Sequence, residues 1–338
     1  MSDVAAAAGV AQSTVSRILN DAPASIPVSS ETRERVLAIA SELGYSPHPI
    51  ARALRGAPTM LLGAIVRDIT DPFFAGAIEA LSIECKAHGY SVVLGHARAT
   101  EDEALVVTAV LEARQCDAIV LLGDFTAEHR LVEDLSNGRA RVVGLWHGSH
   151  TDRPFPTVGV DNRAGVRAAL THLVELGHEH IAYAGAESLG DMQERHDAYL
   201  EFMAERGCSI PPAYVSLVAN KVGSGEDALA PILERAPEVT AVCAATDTLA
   251  LALLHAAYER GIKVPDQLSV VGFDDIPMAS ASVPTLTTIR MPLSEIIATG
   301  VDFCIGDRIW DGEEPPPQEL LAPTLVVRGS TAPPSGRA

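Results

Sequence analysis

The 338-residue chain has no run of about 18 apolar residues, which excludes a membrane-spanning helix. Its N-terminus has no basic region followed by an apolar stretch, so no secretory signal is expected and the expected setting is cytoplasmic. The five cysteines (Cys85, Cys116, Cys208, Cys243 and Cys304) are odd in number, widely spaced and without a C-x-x-C pair. They read as buried thiols in a reducing compartment, not as staples or metal ligands. No G-x-S-x-G, G-K-[ST] or H-E-x-x-H motif occurs, so the usual signatures of a serine hydrolase, a P-loop and a zinc protease are missing, and no cofactor is expected. Positive charge is scarce: 25 Lys and Arg stand against 44 Asp and Glu, a net charge of −19.

That balance argues against nucleic acid until it is divided by region. Residues 1–57 carry Arg17, Arg33, Arg35, Arg52 and Arg55 against Asp3, Asp21, Glu31, Glu34 and Glu42. The first segment is therefore neutral and the acidity lies in the remainder. Five guanidinium groups can face phosphate while the carboxylates cap helices or face away. The expected non-specific affinity is modest and salt-sensitive.

What the segment does contain is a short helix, a glycine turn at Gly9 and a second short helix. Val4, Val10, Val15 and Ile18 are the apolar positions that join the two helices. Gln12, Ser13, Thr14, Ser16, Arg17 and Asn20 occupy the rest of the second helix. A guanidinium flanked by short hydroxyls suits base edges and phosphates in a major groove. The same residues also fit a plain helical hairpin. A third helix is expected over residues 29–43, with Ser29 as its cap, Gly44 as its stop, and Val36, Ile39 and Leu43 on its inner face.

The segment resembles the helix-turn-helix of the LacI/GalR family of bacterial repressors, in which D-V-A-x-x-A-G-V-S-x-x-T-V-S-R-x-L-N is the headpiece pattern. Thr14-Val15-Ser16-Arg17 and Leu19-Asn20 match as they stand. Further along, Ile50–Gly56 is too short for a stable helix in water. It resembles the family's hinge helix, which implies phosphate contact by Arg52 and a minor-groove wedge at Leu54; the alternative is a plain linker. Asp71-Pro72-Phe73-Phe74, Asp161-Asn162-Arg163-Ala164-Gly165, Leu176-Gly177-His178, Val271-Gly272-Phe273-Asp274-Asp275 and Leu286-Thr287-Thr288-Ile289 resemble further family segments, in family order.

From Leu61 onward, apolar strands alternate with amphipathic helices. Strands are expected at 61–66, 91–94, 118–122, 142–145, 158–160, 180–184, 214–218, 241–245 and 269–272. Helices are expected between them, one of them starting at Arg195 after a loop through Glu194. This pattern means parallel sheets covered on both faces, and about ten strands exceed one compact sheet. The expected architecture is therefore a three-helix head, a hinge helix and a two-lobed α/β core with two parallel sheets. The resemblance implies that this core is periplasmic-binding-protein-like. The expected boundaries are 1–46 for the head, 47–59 for the hinge and linker, 60–330 for the core and 331–338 for a tail. The first lobe takes about 60–160 and 291–320, the second about 161–290 and 321–330. Ligands in such folds sit at the carboxyl ends of the strands, in the cleft between lobes.

At that cleft the resemblance implies an effector site containing Phe73, Phe74, Asp124, Trp146, Arg195, Asn220, Thr246 and Asp274. Carboxylate, guanidinium, amide and aromatic face together suit a sugar or related polyol. Trp146 stands where many members carry an acid, and packing between lobes is an equal reading for it. Asp161 and Asp247 read as helix caps. His178-Glu179-His180 reads as structural, because no third metal ligand is specified.

The chain also departs from the family. Ala11 replaces the serine that caps the recognition helix, a loss of roughly 1 kcal/mol. Only Met1 and Ser2 precede Asp3, where the family has a few residues more. Ala198-Tyr199 replaces a G-F pair, and Met291 replaces a common glutamine. The resemblance implies a transcriptional regulator, expected as a nucleoid-associated homodimer on pseudo-palindromic operator DNA and governed by a small polar effector. Two other classes remain at this point. An enzyme lacks a motif here, and a transporter's solute-binding protein of the same fold needs a secretion signal and no head.

Overall fold

The computed structural model describes residues 1–19, 28–44, 58–97, 100–113, 115–125, 129–146, 153–186, 190–207, 210–310, 312 and 315–335. The expected hinge helix with Arg52 and Leu54, and also Asn20, lies outside the described residues. The chain divides into two units, Met1–Thr59 and Met60–Ala338.

The first unit holds three helices: α1 (Ser2–Ala8), α2 (Gln12–Leu19) and α3 (Ser30–Glu42). Gly9 ends α1 with φ 65°, a left-handed conformation that suits glycine. Ser29 caps α3 by accepting from the Thr32 amide at 3.2 Å. Val4, Ala5, Ala8, Val15, Ile18, Val36 and Ala40 form a common core, with Val10 and Ile39 packed on it. Leu43 is a correction. It is 54% exposed, because α3 ends at Glu42 and the next inward position four residues after Val36 is Ala40. The Arg35 guanidinium donates to the Ala8 carbonyl at 3.2 Å, tying α3 to the end of α1.

The second unit contains two six-stranded sheets. The first has β1 (Leu61–Val66), β2 (Ser91–His96), β3 (Ala118–Leu122), β4 (Arg141–Leu145), β5 (Thr157–Val160) and β11 (Gln318–Leu321), all parallel, in the order β11-β5-β4-β3-β1-β2. The second has β6 (Ile181–Gly185), β7 (Val215–Leu217), β8 (Ala241–Ala244), β9 (Ser269–Asp274), β10 (Thr287–Arg290) and β12 (Thr324–Val326), in the order β12-β10-β9-β8-β6-β7. Only β12 runs antiparallel, against β10. Fully buried apolar strands such as Ala118–Leu122 are what helices on both faces demand.

The intervening helices are α4 (Pro72–Ala87), α5 (Glu101–Ala113), α6 (His129–Asn137), α7 (Asn162–Glu175), α8 (Gly190–Glu205), α9 (Gly225–Arg235), α10 (Asp247–Glu259), α11 (Pro277–Ala281) and α12 (Leu293–Cys304). The chain passes between the sheets three times: from β5 into α7, from β10 into α12, and from β11 into β12. Helix α8 is a second correction: it begins at Gly190, so Arg195 lies inside it rather than at its start. Cys85, Cys116, Cys243 and Cys304 are buried free thiols. The His178 ring is buried and sits within hydrogen-bond distance of the Thr240 and Ser269 hydroxyls and the Ala332 carbonyl, which pins the tail, a structural role. No helix among the described residues is long and apolar enough to cross a membrane.

Candidate functional site

The carboxyl ends of the strands converge on one cleft between the two sheets. Arg67 follows β1, Trp146 follows β4, Thr246 follows β8, Asp274 ends β9 and Met291 follows β10. Asp71, Phe73 and Phe74 open α4, while Asp191, Met192 and Arg195 lie on α8. These side chains close the cleft to a cavity of about 10 Å³, the room of roughly one water.

Arg195 is the hub. Its side chain is 2% exposed. It donates to the Asn162 side-chain oxygen at 2.8 Å, to the Ala245 carbonyl at 2.6 Å and to Asp274 at 3.3 Å, and it lies 3.8 Å from Asp191. Its guanidinium carbon also sits 3.8 Å above the Phe273 ring centre, a cation–π contact. The approach depends on Gly165: a Cβ there would lie 2.6 Å from the Phe273 ring. Asp161, meanwhile, caps α7 by accepting from the Ala164 amide at 2.8 Å. The D-N-x-x-G segment thus caps a helix, presents Asn162 to Arg195 and leaves room for the ring under Arg195.

The V-G-F-D-D segment is equally resolved. Gly272 leaves space for Asp247, since a Cβ there would lie 2.2 Å from the Asp247 Oδ1. Asp274 faces Arg195 with φ 122°, and Asp275, at φ 57°, pairs with Arg290 and Arg328, each at 2.6 Å. Asp247 is a third correction. The cap of α10 is Thr246, whose hydroxyl accepts from the Leu249 amide at 3.2 Å, whereas Asp247 binds the Ile276 amide at 2.9 Å and the Thr288 hydroxyl.

Among the described residues, two hydrogen bonds to carboxylates join the lobes directly. Arg67 donates to Asp191 at 3.2 Å, and the Asn220 amide donates to Asp71 at 3.0 Å. The Thr246 hydroxyl donates to the Asn220 oxygen at 2.7 Å, extending the second contact. Asp71 also accepts from the Phe73 amide at 3.1 Å, and with Pro72 in the first turn this fixes the start of α4. Phe73 meets Trp146 edge to face at 5.0 Å, while Phe74 is buried beneath Arg67.

Burial governs the electrostatics. It pushes the Asp274 carboxyl well above the usual carboxylate range, with Arg195 opposing and Asp247, Asp71 and Asp191 reinforcing. It raises Asp247 to about 7, against the Thr288 and Ile276 hydrogen bonds. It raises Asp71 as well, against the Phe73 amide and Arg67.

Of the expected effector residues, Phe73, Phe74, Trp146, Arg195, Thr246 and Asp274 line the cavity. Asn220 reaches it through Asp71 and Thr246. Asp124 is buried beyond the end of β3 but is not among the lining residues. Arg67, Asp191, Asn162 and Met192 were missed. Arg67 had a usable signal, an isolated charge directly after the first apolar strand. Asp191 had none, because its segment read as loop.

In the first unit, Gln12 and Ser13 on α2 are exposed, and Thr14, Ser16 and Arg17 are partly exposed, opposite the buried Val15 and Ile18. Ala11 supplies only its carbonyl to the first turn, accepting from the Thr14 and Val15 amides at 2.9 and 3.2 Å.

A three-helix head with a polar second helix, carried on a two-lobed binding core, defines a ligand-responsive DNA-binding regulator. Residues 1–48 match the family described as bacterial regulatory proteins, lacI family, and residues 170–331 match the periplasmic binding protein-like domain. The chain is 31% identical over 336 residues to the HTH-type transcriptional repressor CytR of Escherichia coli (strain K12), covering 98% of this chain and 96% of that one. It superposes with a TM-score of 0.86 on the Lac repressor dimer bound to operator and the anti-inducer ONPF, at 27% identity, covering 98% of each chain. A transcriptional regulator CelR–cellobiose complex aligns with a TM-score of 0.72 at 29% identity, covering 97% of this chain and 98% of that one. The chain belongs to the LacI family of bacterial regulatory proteins, which are DNA-binding transcriptional regulators and not enzymes.

Proposed function

We propose that the chain is a dimeric repressor of the bacterial cytoplasm, acting at the nucleoid, that binds a pseudo-palindromic operator and is governed by a neutral sugar in the interlobe cleft. Residues 1–46 act as the reading head, with Gln12, Ser13, Thr14, Ser16, Arg17 and Asn20 facing DNA. Residues 47–59 act as the hinge, with Arg52 at phosphate and Leu54 in the minor groove. Residues 60–330 form the effector-binding and dimerisation core. A two-fold pair of heads matches a two-fold operator. The Lac repressor complex, a dimer on operator DNA, supports this arrangement.

The observation that carries the effector reading is the charge balance of the cleft. Among the described residues of the lining, Arg67 is held by Asp191 and Arg195 by Asp191 and Asp274, so neither guanidinium stands free for a phosphate or carboxylate ligand. Paired donors and acceptors beside the Phe73 and Trp146 rings suit the hydroxyls and apolar face of a neutral sugar. The cellobiose held by the CelR relative supports the same class.

A thermal-shift screen of neutral sugars and their phosphates tests the reading. A ligand that binds only the native core raises its melting temperature. A shift with sugar phosphates and none with neutral sugars would sink it.

A further inference from the structure

Trp146 combines three features that packing alone does not require. It is the residue after β4, and it holds φ 56°. For a residue with a Cβ that left-handed conformation costs about 1–2 kcal/mol, so glycine or asparagine is the usual occupant. The side chain is 3% exposed, yet among the described residues its Nε1 has no hydrogen-bond partner. A buried donor left unpaired costs about 1–3 kcal/mol. Finally, the ring lines the closed cleft beside Arg195, Asp274 and Met291, held edge to face against Phe73.

The remaining polar side chains of the lining are paired already. Arg195 holds Asp274, Arg67 holds Asp191, Asp71 holds Asn220, and Thr246 donates to Asn220. A ligand that engages any of these exchanges one partner for another. A ligand that engages the Trp146 N–H breaks nothing and removes an existing cost.

We infer that Trp146 is a specificity-determining contact of the effector site, donating its Nε1–H to an acceptor oxygen of the bound sugar while Phe73 takes the sugar's apolar face. This rests on the sugar-cleft reading above and deepens it. An indole N–H donates only. The ligand atom it meets is therefore an acceptor such as a hydroxyl, ring, glycosidic or carbonyl oxygen, and a protonated amine at that place is rejected. Where an acidic residue at this position would accept from a sugar hydroxyl, Trp146 reverses the polarity of the contact.

The experiment titrates the full chain by calorimetry with cellobiose, ribose, glucose and methyl β-glucoside, and takes the tightest-binding of these as the probe. Trp146→Phe keeps a ring and removes the N–H. The expected result is about a threefold to tenfold rise in Kd for the probe, at a melting temperature near that of the parent. Among monodeoxy analogues of the probe, one should lose affinity for the parent and not for the variant. A Kd within twofold of the parent's would overturn the inference and leave the sugar reading standing, whereas no heat with any of the four sugars would overturn both.

Should Trp146→Phe fail to fold, a Trp310→Phe variant leaves Trp146 as the only one of the two tryptophans. Its emission should then change on titration with the probe and saturate at the calorimetric Kd. Emission that stays constant through saturation would overturn the inference.

Discussion

The Asp71 carboxylate of the first lobe accepts from the Asn220 amide of the second at 3.0 Å, across 149 residues of sequence. Asp71 is 8% exposed, so its partner cannot be replaced freely by water. Asn220→Ala should lower core stability by about 1–3 kcal/mol, the cost of leaving a buried acceptor unpaired. If the pair acts as a unit, Asp71→Ala combined with Asn220→Ala should lose little more than the worse single variant. Urea unfolding of the four proteins gives the coupling, and simple additivity would show that the contact does not hold the lobes.

Arg195 and Asp274 should respond unequally to truncation. Arg195→Ala strands a buried carboxylate and should cost about 3–5 kcal/mol. Asp274→Ala leaves Arg195 bound to Asn162 and the Ala245 carbonyl and close to Asp191, so its cost should be smaller. Asp274→Ala should also abolish the effector response while operator affinity without effector stays nearly unchanged. Denaturant melts and fluorescence anisotropy with operator DNA separate the two effects. An unchanged effector response would make Asp274 structural.

Asp247 should make stability depend on pH. Its folded value of about 7 lies above the ordinary 3.8, so between these the native state holds a proton that the unfolded chain has released. Stability from this group is therefore greatest below the unfolded value and falls as pH rises from about 4 to about 7. Asp247→Asn resembles the protonated form. Its melting temperature relative to the parent should climb across that range and level off above it. A constant difference from pH 4 to pH 8 would contradict the assignment.

Arg17→Ala should abolish specific operator binding and leave the core's unfolding unchanged. The residue is partly exposed on α2, and among the described residues it makes only a long 3.4 Å contact to the Ser13 carbonyl. Binding to a random DNA pool at low salt should fall far less, because phosphate contacts from other residues persist. Equal losses on operator and random DNA would assign Arg17 to phosphate rather than to base edges.

Strands buried on both faces were legible as apolar runs, and β1 and β3 lie where the runs predict them. The edge strands β11 and β12 were not. Their half-exposed, proline-flanked segments, four and three residues long, carry no alternation strong enough to read. Helix α8 starts about one turn earlier than expected, because Asp191 in its first turn is turned into the cleft and Gln193 is exposed, so neither adds to an apolar face. Arg195, Asp274 and the aromatic pair could be named from the resemblance. Arg67 carried a local signal, an isolated charge after β1, and Asp191 carried none; that the two pair could be read from neither.

The sequence by itself determined most of the helices and the buried strands as far as β9, that a polar second helix lies near the start of the chain, and that charged and aromatic residues cluster at strand ends. Those are local properties, set by periodicity, capping and residue chemistry. Only the tertiary structure decided that Arg67 meets Asp191 across 124 positions and that Arg195 meets Asp274 across 79. It also decided that Trp146 is held in the cleft with no partner for its N–H among the described residues. The physical reason is that strand order in the two sheets, and the three crossings between them, bring distant strand ends to one place. Burial there then turns ordinary carboxylates and guanidinium groups into one coupled site.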